Sequence, residues 1–222
     1  MASRHEVPFL YPKSQHRRRL APGPFSRHQP YKPFLRDEFR QRCVYCRRPD
    51  SVHPHDHKSF VVEHYRPKSL FPQSSCDYGN LFYACKSCND FKRDYWPRSE
   101  SEPVLPNPCD HVMLNHLRFD DGQVRAQSHH GEFTVELLQL NQEAVVQSHR
   151  LHVAQINQAA GQLKRLLKAE RLMKLRNTDD VADAQLLAEL RSLDERIRST
   201  QLLLRQLTGT TAADLTLGPE AR

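Results

Sequence analysis

Two Cys-x-x-Cys pairs, Cys43/Cys46 and Cys85/Cys88, stand 38 residues apart in a chain of 222, and they constrain the fold more tightly than anything else in it. Each short turn presents two thiolates on one side, and Zn²⁺ takes four of them tetrahedrally. The segment between the pairs must therefore close on itself. Four protein ligands leave no open position, so the expected zinc is structural and contributes directly to folding. The alternatives are a redox dithiol or a pair of disulfides; a reducing compartment disfavours both, and neither requires two matched pairs. Cys76 and Cys109 have no such partner and read as free thiols or core residues.

No apolar run approaches the roughly 18 residues a membrane span needs. The opening MASRHEVPFLYPKS lacks the apolar stretch of a signal peptide, so cytoplasmic residence is the expectation. Residues 1 to 48 hold 12 Lys/Arg against 3 Asp/Glu, and the other 174 hold 21 against 23. The net charge of +7 is thus N-terminal in origin. With Pro8, Pro12, Pro22, Pro24, Pro30 and the run Arg17, Arg18, Arg19, residues 1–31 read as an extended basic arm. Such an arm suits a phosphate-rich partner, with binding that weakens as salt rises; a solubilising tail is the bland alternative.

Pro33 opens a short helix expected to carry Phe34, Leu35 and Phe39 inward. SFVVEH predicts a strand ending near His64, NLFYAC a second, and SCNDFKRDYW a helix stopped by Pro97. Further on, HLRFDDGQVRA predicts a β-hairpin turning at Asp121-Gly122 and serving as a linker. Two helical stripes come next, at spacings of 3 and 4. The first is Val146, His149, Val153, Ile156, Ala160, Leu163 and Leu167; the second is Leu186, Leu190, Leu193, Ile197, Thr200, Leu204 and Leu207. A break near Asn177 to Asp180, with Thr178 or Asp179 as cap, predicts an antiparallel helical hairpin. Its seam packs the two helices together or recruits a second copy.

Between the cysteine pairs lie Glu63, His64, Arg66, Lys68 and Asn80, with Asn89 and Lys92 just beyond. The run from Cys43-Val44-Tyr45-Cys46 through VEHYRPKS and YGNLFYAC to SCNDFK resembles the HNH endonuclease family in its four-cysteine zinc form. Its final position is Asn rather than His, as in the HNH domains of RNA-guided CRISPR nucleases. The resemblance covers about a quarter of the chain. It implies an α+β class with a ββα-metal core over residues 40–96 and hydrolysis of phosphodiester bonds, DNA more than RNA. His64 would be the general base, and Glu63 and Asn89 would hold Mg²⁺ or Mn²⁺. Asn80 would hold the loop and orient His64, and the products would carry 5′-phosphate and 3′-hydroxyl ends. Arg66, Lys68 and Lys92 would hold phosphates. The expected division is 1–31 arm, 32–98 nuclease domain, 99–140 linker with hairpin, and 141–222 helical hairpin.

The stretch LPNPCDHVMLNHLRFDDGQVRAQSHHGEFTVELLQLNQ is similar to the region C-terminal to the core in Septu-type bacterial defence nucleases. That likeness implies an anti-phage role and an SMC-like ATPase as partner. Two rivals remain: a non-catalytic zinc module that binds nucleic acid, and an RNA-directed nuclease with the same site. A second metal site at His53, His55 and His57, or at His129-His130, is the weaker interpretation of those histidines.

Overall fold

A computed structural model describes residues 8–51, 56–176 and 184–209. It contains helices and short strands in two compact units, Pro8–Arg150 and, among the described residues, 151–209. Position 53, position 55 and the side chain at 57 lie outside the described residues, as do the break expected at 177–180 and its caps.

The first unit is organised around two antiparallel strands, β1 (Phe60–His64) and β2 (Leu81–Cys85), which pair Phe60 with Cys85 and His64 with Leu81. In β1 the buried residues are Phe60 and Glu63, three apart and so on opposite faces, with Val61, Val62 and His64 half-buried. Every residue of β2 is buried. Helix α1 (Lys32–Glu38), with Pro in its first turn, packs nearby and helix α2 (Lys86–Lys92) continues directly from β2. In and just after α1, Leu35 and Phe39 point inward as the sequence suggests, whereas Phe34 is 37% exposed and lies near Phe25 instead.

The described part of the supposed arm is a packed segment, which corrects its assignment as a separate tail. Tyr11 and Tyr31 belong to the same buried cluster as Cys43, Phe82 and Leu117. The backbone amide of His16 bonds to the Pro108 carbonyl at 2.7 Å, and the Tyr11 hydroxyl donates to the Tyr45 carbonyl at 2.9 Å. Arg18 lies over the rings of Phe39, Tyr78 and Phe82 at 4.7–4.9 Å, and its guanidinium donates to the Leu81 carbonyl at 2.7 Å. Its charge is spent on aromatic faces and a strand end, not on an outside phosphate.

Glu38, with a side chain 0% exposed, fastens this segment. Its carboxylate accepts from the amides of Arg19 at 2.8 Å and Leu20 at 3.0 Å, from His16 Nε2 at 2.9 Å and from the Tyr78 hydroxyl at 3.2 Å. Burial pushes the Glu38 pKa up, yet the two amides and His16 more than offset it, leaving the group below its ordinary value. A carboxyl lowered in this way stabilises the fold above its unfolded pKa, and that contribution is lost as pH falls through the folded value. Glu38→Gln is expected to cost roughly 2–4 kcal/mol, since buried donors lose a charged acceptor. It should also flatten the acid limb of a stability-against-pH curve from denaturant titrations; an unchanged acid limb would remove Glu38 from that role.

The predicted hairpin is present as β3 (Leu117–Asp120) and β4 (Gln123–Ala126), turning through Asp121 and Gly122, both at positive φ. A Cβ on Gly122 would come within 2.7 Å of Arg150 and 3.0 Å of the Val146 carbonyl, so the turn needs glycine on both counts. The hairpin is not a linker: Leu117 and Val124 are core residues beside Leu138 and Leu140, and helix α3 (His129–Leu137) packs on β4. Compact structure thus extends through residue 150, past the expected boundary at 98.

In the second unit, the later residues of α4 (Glu143–Arg176) pack on α5 (Ala184–Thr208). The seam is Ile156, Ala159, Leu163 and Leu166 against Leu193, Ile197, Leu204 and Leu207. His152 Nε2 donates to the Leu207 carbonyl at 2.6 Å, which makes the pair antiparallel. The stripe read from the sequence is therefore displaced: Leu167 is 43% exposed, and Ala159 and Leu166 replace Ala160 and Leu167 at the centre. No described helix is long and apolar enough to cross a membrane.

Candidate active site

All four cysteines of the two pairs are buried, and their sulfurs lie within 4.8 Å of one another. The Cys46 and Cys85 sulfurs are 3.8 Å apart. A tetrahedron with Zn–S bonds of about 2.3 Å has edges of about 3.8 Å, so the cluster is compatible with zinc. The chain builds this geometry locally. The Val44 amide bonds to the Tyr83 carbonyl on β2 at 2.9 Å, and the first pair turns through Arg47 at positive φ. Cys85 ends β2 and caps α2, accepting from the Cys88 amide at 3.5 Å. Among the described residues no other group of three or more His, Cys, Asp or Glu ligands comes together, the region of His129-His130 included.

The same strand and helix hold the residues expected to carry chemistry. His64 ends β1 and is half-buried, while Glu63, one residue earlier, is 2% exposed because successive side chains point to opposite faces. His64 Nε2 lies 3.0 Å from the Ser75 carbonyl. A carbonyl only accepts, so Nε2 carries the proton and Nδ1 keeps its lone pair. Nδ1 has no hydrogen-bond partner among the described residues. Burial lowers the His64 pKa; the Ser75 carbonyl opposes this, and His28, Lys68 and Lys92 lower it further. The imidazole is thus neutral at neutral pH, with one nitrogen available as a base.

The loop that supplies the Ser75 carbonyl is held by Asn80. Its Oδ1 accepts from the Arg66 amide at 2.8 Å, and its Nδ2 donates to the carbonyls of Arg66 at 3.0 Å and Ser74 at 3.2 Å. One buried amide therefore ties both ends of the excursion between β1 and β2.

Glu63 and Lys92 form a buried pair: Nζ lies 2.7 Å from Glu63 Oε1, both side chains are 2% exposed, and the Tyr45 hydroxyl also reaches Oε1 at 3.3 Å. Burial raises the Glu63 pKa, against the pull of Lys92 and Tyr45. Lys92 also donates to the His64 carbonyl at 2.9 Å. The expectation that Lys92 holds a substrate phosphate is corrected, because its ammonium is enclosed and engaged twice. Its place is behind β1, steadying His64. Lys92→Met, which leaves a buried carboxylate without its counter-ion, is expected to cost about 3–5 kcal/mol in chemical denaturation. A loss under about 1 kcal/mol would show the pair to be solvated.

Glu63 Oε2 is buried and has no hydrogen-bond partner among the described residues. Asn89 is half-buried on α2, one turn before Lys92 on the same face. Hard oxygens of this kind fit Mg²⁺ or Mn²⁺, with Glu63 offering Oε2 while Lys92 keeps Oε1. Of the other cations, Lys68 is exposed and acts on His64 through its charge, and Arg66 is exposed above Phe71 and Trp96 at 5.9 and 5.7 Å. Sequence reasoning missed His28, Ser75 and Tyr45. His28 stands in a proline-rich stretch with no motif around it, and Ser75 acts through its backbone, so neither leaves a signal in residue type.

Residues 43–94 match the family model of the HNH endonuclease. Over 115 residues it is 33% identical to the Septu protein PtuB of Bacillus thuringiensis. That match takes in 50% of this chain and 42% of the relative, so the chain spans under half of that protein's length. No solved structure matches the chain.

Proposed function

We propose that this protein is a metal-dependent endonuclease that hydrolyses phosphodiester bonds, DNA in preference to RNA, in a bacterial anti-phage defence system. The observation that carries the proposal is His64, whose Nε2 is bound to the Ser75 carbonyl while Nδ1 has no partner among the described residues. In this mechanism Nδ1 takes a proton from water, and the resulting hydroxide attacks phosphorus in line with the departing 3′-oxygen. Asn80 keeps the Ser75 carbonyl in place, so that the base presents the same nitrogen at each turnover. Lys92 fixes the His64 backbone from behind. Glu63 Oε2 and Asn89 hold Mg²⁺ or Mn²⁺, which when bound stabilises charge developing on the phosphate and the leaving oxygen. Lys68 and Arg66 are exposed, and in this mechanism they contact the substrate backbone.

The likeness to the Septu protein PtuB supports the defence role, and the SMC-like ATPase is the partner we carry over from the resemblance to Septu-type nucleases. The helical pair in residues 151–209 is the part offered to that partner or to a second copy of the chain. The test is cleavage of supercoiled plasmid, single-stranded DNA and tRNA with Mg²⁺ or Mn²⁺, comparing wild type with His64→Ala at equal zinc content. Cleavage that survives His64→Ala, or that prefers tRNA, would overturn the assignment of base or substrate respectively.

A further inference from the structure

The segment ahead of the HNH match brings a second histidine to the proposed base. The rings of His28 and His64 meet edge to face, 4.8 Å apart at 74°. His28 precedes a short 3-10 turn, Gln29–Tyr31, and its carbonyl accepts from the Tyr31 amide at 3.1 Å. Tyr31 is 2% exposed and packs on Phe25 at 4.8 Å and Tyr78 at 5.7 Å. That turn is therefore anchored to residues 78–80, the stretch that ends in Asn80. The position of His28 is set by the same core that sets the loop around His64.

The surroundings of His28 favour an anion. Its ring is half-buried, and neither ring nitrogen has a hydrogen-bond partner among the described residues. Burial and the charge of Lys68 lower its pKa, with no carboxylate acting in the opposite sense. A neutral imidazole still has one N–H to give. An available N–H, a lysine with no ion pair among the described residues and an adjacent general base together suit a phosphodiester.

We infer that His28 is a substrate-contacting residue, donating an imidazole N–H to a non-bridging oxygen of the scissile phosphate. The inference rests on the nuclease reading above and places part of the active site outside residues 43–94. No proton is transferred: the N–H orients the phosphate while His64 deprotonates water. A histidine that only packs against His64 makes a different prediction, because phenylalanine would keep that contact.

The test uses the full chain with His28→Ala, His28→Phe and His28→Gln, each checked for zinc content and melting temperature. With Mg²⁺ or Mn²⁺, His28→Ala and His28→Phe are both expected to lose roughly 10–100-fold in kcat/KM, the worth of one hydrogen bond to a charged group. His28→Gln, which retains an N–H, should recover part of it. Wild-type rates in His28→Phe would overturn the inference and leave His28 as packing. Binding of a short fluorescent oligonucleotide is measured in parallel on His64→Ala, with and without His28→Ala. If the wild type cleaves nothing, this second readout decides. A similar loss of affinity supports the contact although the nuclease reading has failed; unchanged affinity, or no binding at all, overturns the contact too.

Discussion

Replacing Cys85 by serine is expected to remove zinc from the protein and unfold the unit spanning residues 8–150. Cys85 has three duties at once: it closes the register of β2 opposite Phe60, caps α2, and offers one of four sulfurs gathered within 4.8 Å. Serine can take over the cap but is a poor fourth ligand for zinc. Structural zinc sites contribute on the order of 10 kcal/mol to the domains they close, about as much as the whole stability of an ordinary domain. The measurement is zinc released on denaturation, together with near-ultraviolet circular dichroism, for wild type, Cys85→Ser and chelator-treated wild type. A zinc-free protein with native dichroism and an unchanged melting temperature would show that the cysteines hold nothing the fold depends on.

The second large effect concerns rate rather than stability. His64→Ala is expected to lower cleavage by about 10²–10⁴-fold, the usual worth of a positioned general base, while zinc content and melting temperature stay near those of wild type. The half-buried imidazole at the end of β1 carries little of the core, so folding and catalysis should separate cleanly here. Its folded pKa lies below the ordinary 6.5, and the base form is the one present above that pKa. The cleavage rate should therefore be flat through neutral pH and fall only on the acid side of 6.5. A profile that keeps rising through pH 8 would assign the proton acceptor to another group.

What is legible in the sequence is what short-range chemistry dictates. The Cys-x-x-Cys spacing announces the four-sulfur cluster, and the β-branched run before His64 announces β1. Asp121-Gly122 announces its turn because so few residue pairs accept positive φ twice. Long-range partners are not legible. Nothing in Arg17-Arg18-Arg19 says that Arg18 will lie over Phe82 while Arg17 stays exposed; composition counts charge and is blind to where it is spent. Lys92 misleads for the same reason, since a lysine beside a motif looks like a phosphate ligand until Glu63 is found 2.7 Å away. The helical seam is found but displaced, because Leu166 and Leu167 are equally apolar and only the packing between α4 and α5 chooses between them.

The fastening of residues 11–20 has a consequence for synthesis. Their partners come from far along the chain: Glu38, the carbonyls of Leu81 and Pro108, and the amide of Leu114, which bonds to the Pro12 carbonyl at 3.2 Å. On the ribosome this stretch cannot dock until residues 105–114 have emerged after it, so it waits as a bare, arginine-rich segment while the intervening residues are made. Until then Phe39 and Phe82 lack their cover, and the Glu38 carboxylate lacks its donors. The nascent chain would therefore be most exposed to proteases and to premature nucleic-acid contact in this interval.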